Sequence, residues 1–169
     1  MKHSIGLLMV VLVFSCQEIE TPTDFTGYET TYELVAASAH DVKGVVTFKE
    51  RLDGSTSVVI RLTGTGGEAK HPVHLHLGNL STPQANVAAL LNPVVASTGK
   101  SETILTSLAD ETPVAYADLA ALKACIKIHL SDTGPERDIV LAGGNIGESY
   151  KESISEGKQE VSTCKGKGD

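Results

Sequence analysis

The sequence contains no tryptophan, few other aromatic residues and a deficit of positive charge. Three Phe and four Tyr occur in 169 residues, and 21 acidic residues stand against 14 basic ones, for a net charge of −7. Binding to a polyanion needs clustered Lys and Arg, and stacking on nucleobases needs aromatic platforms. We therefore expect no nucleic-acid partner.

Cysteine is also scarce, since the chain has only three. Three is an odd number and too few for a small protein held together by disulfides. A chain of this length can instead bury a hydrophobic core as one domain.

The longest apolar run, residues 5–14, follows a short basic start. It has about half the length that a helix needs to span a bilayer, and it suits the apolar part of a secretory signal. The next residues complete the stretch Val-Phe-Ser-Cys at 13–16, which resembles a bacterial lipobox. This resemblance implies removal of residues 1–15 and lipidation of Cys16. The alternative is an ordinary secreted protein with an unrelated Cys at this place.

The rest of the chain divides by composition into two polar ends and a middle domain. Residues 16–26 are polar and without periodicity, which is typical of a tether. Residues 151–169 form a second polar segment rich in Lys, Glu, Ser and Gly. We expect one domain over 27–150, exported and held at a membrane of the cell envelope by lipid on Cys16.

Hydrophobic alternation within this domain predicts β-strands. The runs 42–52 and 57–63 alternate on either side of Asp53-Gly54, which is a strong tight-turn signal. Further strands are expected at 31–37, 73–77, 104–108, 124–130 and 138–142, with one short helix at 116–123 in an otherwise loop-rich stretch from 79 to 123. The prediction is an all-β, antiparallel Greek-key sandwich or barrel with long loops and one short helix.

The histidines are the residues most able to support chemistry. Side chains alternate along a strand, so His74 and His76 should share one face while Leu75 points to the core. His129 lies on the outward face of a later strand. If the two strands are neighbours, three imidazoles meet on the outside of the barrel, and neutral imidazoles suit copper, zinc or nickel. The alternative is three solvated surface histidines.

Two roles are open for Cys125. An oxidising compartment would allow a disulfide between Cys125 and Cys164, closing a loop of about 40 residues. Cys125 could instead be a soft metal ligand, since it lies on the same strand face as His129. Lys127, between them on that face, would add positive charge near any cation.

Two families resemble parts of this domain. The stretch His-Pro-Val-His-Leu-His at 71–76 resembles the His-Gly-Phe-His-Val-His stretch of copper/zinc superoxide dismutases. Residues 125–132 and 144–147 resemble that family's later copper-binding strand and its Gly-Asn-Ala-Gly turn. The chordin-type (CHRD) domain fits the loops better. Residues 73–76 resemble its His-Ile-His strand, and residues 128–129 with the turn at 135–137 resemble its Val-His strand and the Pro-containing turn that follows. We identify the chain as a CHRD-like domain on a superoxide-dismutase-like sandwich.

The resemblance assigns roles residue by residue. It implies His74, His76 and His129 as copper ligands and His71 as a neighbouring non-ligand that braces the site. Asp132 is a candidate for orienting an imidazole, at an offset from His129 that differs from the family's. No His lies between positions 76 and 129. The bridging imidazole and zinc loop of the dismutases are therefore missing, and we expect no zinc site.

The sequence also differs from the dismutases at the position of the residue that attracts superoxide. Glu148 follows the turn where the dismutases carry an Arg that attracts superoxide, and an acidic domain repels an anion. Efficient dismutation is therefore not expected. Two functions stay open: a membrane-tethered metalloprotein that binds copper for redox or copper-buffering chemistry, and a non-catalytic envelope module that binds a protein or glycan partner without metal.

Overall fold

The computed structural model describes residues 24–82 and 85–157. The predicted signal segment 1–15, the lipidation site Cys16 and the predicted disulfide partner Cys164 lie outside the described residues. Within the described ranges, no helix has both the length and the apolar character needed to cross a membrane.

Eight strands close into one antiparallel barrel, which confirms the all-β prediction. The strands are β1 Phe25–Ala36, β2 Lys43–Arg51, β3 Thr56–Thr63, β4 Lys70–Leu77, β5 Val87–Val95, β6 Lys100–Leu105, β7 Lys123–His129 and β8 Val140–Ile146. The remaining elements are α1 Tyr116–Ala121, a 3-10 turn Pro135–Asp138, and α2 Gly147–Glu156. Structured residues therefore reach beyond both ends of the predicted 27–150 domain.

The strand order places distant parts of the chain side by side. Around the barrel the order is β1–β2–β3–β6–β5–β4–β7–β8, with β8 pairing back onto β1. The connections from β3 to β4 and from β6 to β7 each pass over two strands, as in Greek-key topologies. As a result β4 and β7, which carry the histidines, are direct neighbours.

The predicted β2–β3 hairpin is confirmed. Pairing extends as far as Glu50 opposite Thr56, and Gly54 in the turn has a φ of +85°. This left-handed conformation is readily adopted by glycine, so Asp53-Gly54 sets the register of the two strands.

The expectation of loop over most of 79–123 was wrong for residues 87–95, which form β5. Two consecutive alanines and Pro93 gave this segment a weak strand signal, because both residue types are depleted in strands. Pairing with β4 overrides that preference. Pro93 is tolerated because it lies at the β-bulge where the register with β4 shifts, between Leu91 and Val94, and because the register with β6 is confined to Val95 opposite Lys100.

The barrel interior is filled by one apolar cluster. Aliphatic residues dominate it, and its members come from every strand. The most deeply buried include Leu34, Val46, Val58, Ile60, Val73, Leu75, Ile126 and Ile128. Because β4 and β7 point their aliphatic residues inward, their alternate residues lie on the outer face.

We predict that Gly144→Ala destabilises the barrel. A Cβ at Gly144 would overlap the carbonyl oxygen of Glu33 on β1 and lie 3.1 Å from the Leu34 side chain. Overpacking of this kind costs about 1–3 kcal/mol, which urea unfolding would measure. Gly66→Ala is the control, since open space surrounds that Cβ position. Equal stability of the two variants would contradict the prediction.

Candidate metal centre

The register between β4 and β7 determines which side chains meet outside the barrel. Leu75 lies opposite Ile126, and both are fully buried in the core. The intervening residues therefore face outward, where His74 is paired with Lys127 and His76 with Cys125. This confirms the prediction that the two β4 histidines share the outer face.

The three predicted imidazoles are close together. His74, His76 and His129 each place a ring nitrogen within 4.8 Å of the others. The ring centroids of His74 and His129 are 4.7 Å apart, those of His74 and His76 5.6 Å, and those of His76 and His129 6.3 Å. Nitrogen ligands about 2.0–2.1 Å from one ion lie at most about 4.2 Å apart. Small side-chain adjustments would therefore allow all three to contact one ion.

Burial excludes the alternative of three solvated surface histidines. His76 and His129 are each 3% exposed, and His74 is partly buried. The outer face of β4 and β7 is therefore covered, and His74 is the most accessible member of the group.

Backbone carbonyls fix the orientation of the two buried rings. The Nδ1 of His76 donates to the carbonyl oxygen of Ala85 at 2.8 Å, and the Nδ1 of His129 donates to that of Arg137 at 2.8 Å. A carbonyl can only accept, so the proton sits on Nδ1 and the lone pair on Nε2. Both Nε2 atoms are buried without a hydrogen-bond partner among the described residues. Histidines that bind metals usually donate the N–H of the other ring nitrogen to such an acceptor, which fixes the orientation of the ring.

The connection after β4 packs against the outer face through Leu80, which is fully buried. Its N–H donates to the Asn145 Oδ1 at 2.6 Å. A Cβ at Gly143 would lie 2.6 Å from a Leu80 methyl carbon, so glycine permits this close approach. The Gly-Gly-Asn sequence on β8 thus fixes Leu80 against the outer face.

The two residues expected to support the ligands occupy different positions. His71 is buried outside the group of three, and its Nδ1 lies 3.1 Å from the carbonyl oxygen of Leu130, next to His129. Asp132 is exposed. The Nδ1 of His129, for which Asp132 was the expected acceptor, donates to the carbonyl oxygen of Arg137 instead.

The two side chains across from the β4 histidines are both fully buried. Cys125 lies opposite His76, but its sulfur is not among the grouped ligand atoms of the described residues. The disulfide to Cys164 stays a prediction. Lys127 is 0% exposed, and its positive charge lowers the pKa of His76 and His129.

Burial makes all three imidazoles weaker bases than usual. Loss of solvation lowers the pKa of His74 to about 4, with further lowering from the neighbouring His129 and His76. Burial is also the main cause that lowers the pKa of His76 and His129, and the carbonyl bonds partly oppose it. The rings are therefore neutral at pH 7, which is the form that binds metals.

Sequence reasoning found the three imidazoles but missed the groups that orient them. Ala85 and Arg137 act through their backbone carbonyls, for which side-chain identity gives no signal.

Comparisons of the chain with models of protein families, with curated proteins and with solved structures found no match.

We predict that the metal-free protein loses stability as the pH falls from about 6.5 towards 4. The unfolded chain binds a proton at His74 near pH 6.5, whereas the folded chain resists protonation down to about pH 4. The free energy of unfolding therefore rises with pH across this window. Denaturant unfolding at pH 7.5, 5.5 and 4.5 measures the slope.

His74→Ala removes one of the histidines whose pKa is lowered by folding. The free energy of unfolding of this variant should therefore change less steeply with pH. His40→Ala, which removes an exposed histidine in a turn, should keep the original slope. Identical slopes in both variants would argue against a depressed pKa at His74.

Proposed function

We propose that this protein is an exported bacterial lipoprotein whose barrel binds a copper ion through His74, His76 and His129. The observation that supports this most is the pair of buried, unpartnered Nε2 atoms on His76 and His129, both oriented by carbonyls and grouped with His74. A buried acceptor without a partner is costly to stability, and a metal ion would satisfy both at once.

The donor atoms support copper over other ions. Three neutral imidazole nitrogens, without carboxylate or thiolate in the group that the described residues form, suit copper better than magnesium or calcium. Among divalent ions, copper binds most tightly to a given nitrogen site. The resemblance of residues 71–76 to a copper-binding strand favours the same ion.

The lipoprotein part of the proposal depends on the lipobox-like residues 13–16. β1 begins at Phe25, so eight residues separate it from Cys16. Even with the intervening chain fully extended, the Cα atoms of Cys16 and Phe25 are at most about 32 Å apart. A lipid on Cys16 would therefore keep the barrel close to the membrane surface.

We predict that the purified full-length chain in detergent binds one equivalent of copper. His74→Ala should weaken copper binding by more than the roughly 10–100-fold seen when a residue that only hydrogen-bonds to a ligand is lost, because it removes a direct ligand. Competition with a chelator of known affinity measures the change, and thermal unfolding of the metal-free variants confirms that they fold.

The matched control is His40→Ala, which should bind copper as the unaltered chain does. Tighter binding of zinc than of copper in the same assay would disprove the choice of metal. Failure to bind any metal would disprove the site.

We predict covalent lipid on Cys16 when the chain is expressed in a bacterium. Growth with an alkyne-tagged fatty acid should label the protein and place it in the membrane fraction. Cys16→Ser should abolish both results, whereas Cys164→Ser should change neither. A soluble, unlabelled wild-type protein would show that the apolar segment serves only for secretion.

A further inference from the structure

We infer that the three-histidine centre binds copper preferentially as Cu(I). This inference rests on the proposed copper site and adds the oxidation state of the ion. It is carried by the number of donors, by their neutral charge, by their burial and by the side chains that flank them.

The number of donors favours the monovalent ion. Within the described ranges, the group contains three imidazoles and no other potential ligand. Cu(I) has a filled d shell and is satisfied by three donors in a plane. Cu(II) prefers a tetragonal arrangement of four or more donors, so it would need an additional ligand here.

The neighbouring strand β5 offers no such ligand on its side of the site. Leu90 is the cross-strand partner of His74, and Val87 is the partner of His76. Directly opposed side chains in a sheet have Cβ atoms about 4.5–5.5 Å apart, so these are the closest positions from which β5 could contribute a donor. Both side chains are aliphatic, and they are 71% and 40% exposed.

The charge of the ion matters because the donors are neutral and buried. His76 and His129 are each 3% exposed, and no carboxylate belongs to the group among the described residues. The Born cost of removing an ion from water grows with the square of its charge, so it is about four times larger for Cu(II) than for Cu(I). A site without anionic ligands compensates little of that difference.

The carbonyl bonds oppose rearrangement to suit Cu(II). The rings of His76 and His129 are each held at Nδ1 by a 2.8 Å hydrogen bond. Turning either ring toward a tetragonal plane would break that bond inside the protein. The centre is therefore organised for one low-coordinate ion.

The test compares the affinities of the full-length chain in detergent for the two oxidation states. Cu(I) is titrated anaerobically, with ascorbate as reductant and bicinchoninate as competing chelator. Cu(II) is titrated in air against glycine as competitor. We expect at least tenfold tighter binding of Cu(I), which raises the potential of the bound couple at least 59 mV above that of aqueous copper.

The outcomes separate this inference from the proposed function. Equal or tighter binding of Cu(II) overturns the inference and leaves the copper site intact. Failure to bind copper in either state overturns both. X-ray absorption of the Cu(I) form should show nitrogen neighbours alone, and a sulfur neighbour would overturn the all-imidazole donor set.

A pair of surface variants tests the physical cause. Leu90→Glu places a carboxylate beside His74 and should lower the potential of the bound couple by about 59 mV or more, since an added anion favours Cu(II). Leu52→Glu makes the same change at another exposed leucine, 68% exposed in the β2–β3 turn, and should leave the potential unaltered. Equal potentials in the two variants would contradict the argument from missing anionic ligands.

Discussion

The antiparallel pairing of β4 with β7 is the constraint on which the rest of the site depends. One register places Leu75 against Ile126 in the core, and the same register brings His74 and His76 to the outer face beside the end of β7. A slip of one residue would exchange the two faces of a strand, burying imidazoles in the core and exposing aliphatic side chains. The hydrophobic core therefore specifies the position of the histidines, although none of them contributes to it.

A second layer outside the barrel completes the site. Leu80, bonded through its N–H to Asn145 and packed over Gly143, closes one part of the outer face. The segment after β7 closes another, through the carbonyl of Arg137. His76 and His129 are buried on this face, and that burial is the main cause that lowers the pKa of both imidazoles. The barrel positions the rings, and their burial sets their chemistry.

The parts of the molecule that were predictable from sequence are those with strong local signals. Alternation around Asp53-Gly54 gave the β2–β3 hairpin, and alternation through residues 73–77 gave the shared face of the two histidines. β5 was missed because alanine and Pro93 obscure its pattern, while its pairing with β4 is a long-range contact. Burial of His76 and His129 could not be foreseen either, because the residues that orient them lie in the connections after β4 and β7 and act through backbone carbonyls, for which side-chain identity gives no signal.

The two carbonyls that orient His76 and His129 belong to segments between the strands, and this position affects how fast a bound ion would leave. Ala85 and Arg137 belong to connections rather than to strands, and connections open locally at a lower free-energy cost than a barrel unfolds. Movement of either connection would free one imidazole to rotate and leave the strands intact. Residence time at the centre would then be governed by microsecond-to-millisecond motions of the covering segments, and the lifetime of the folded barrel would be a separate and much longer quantity.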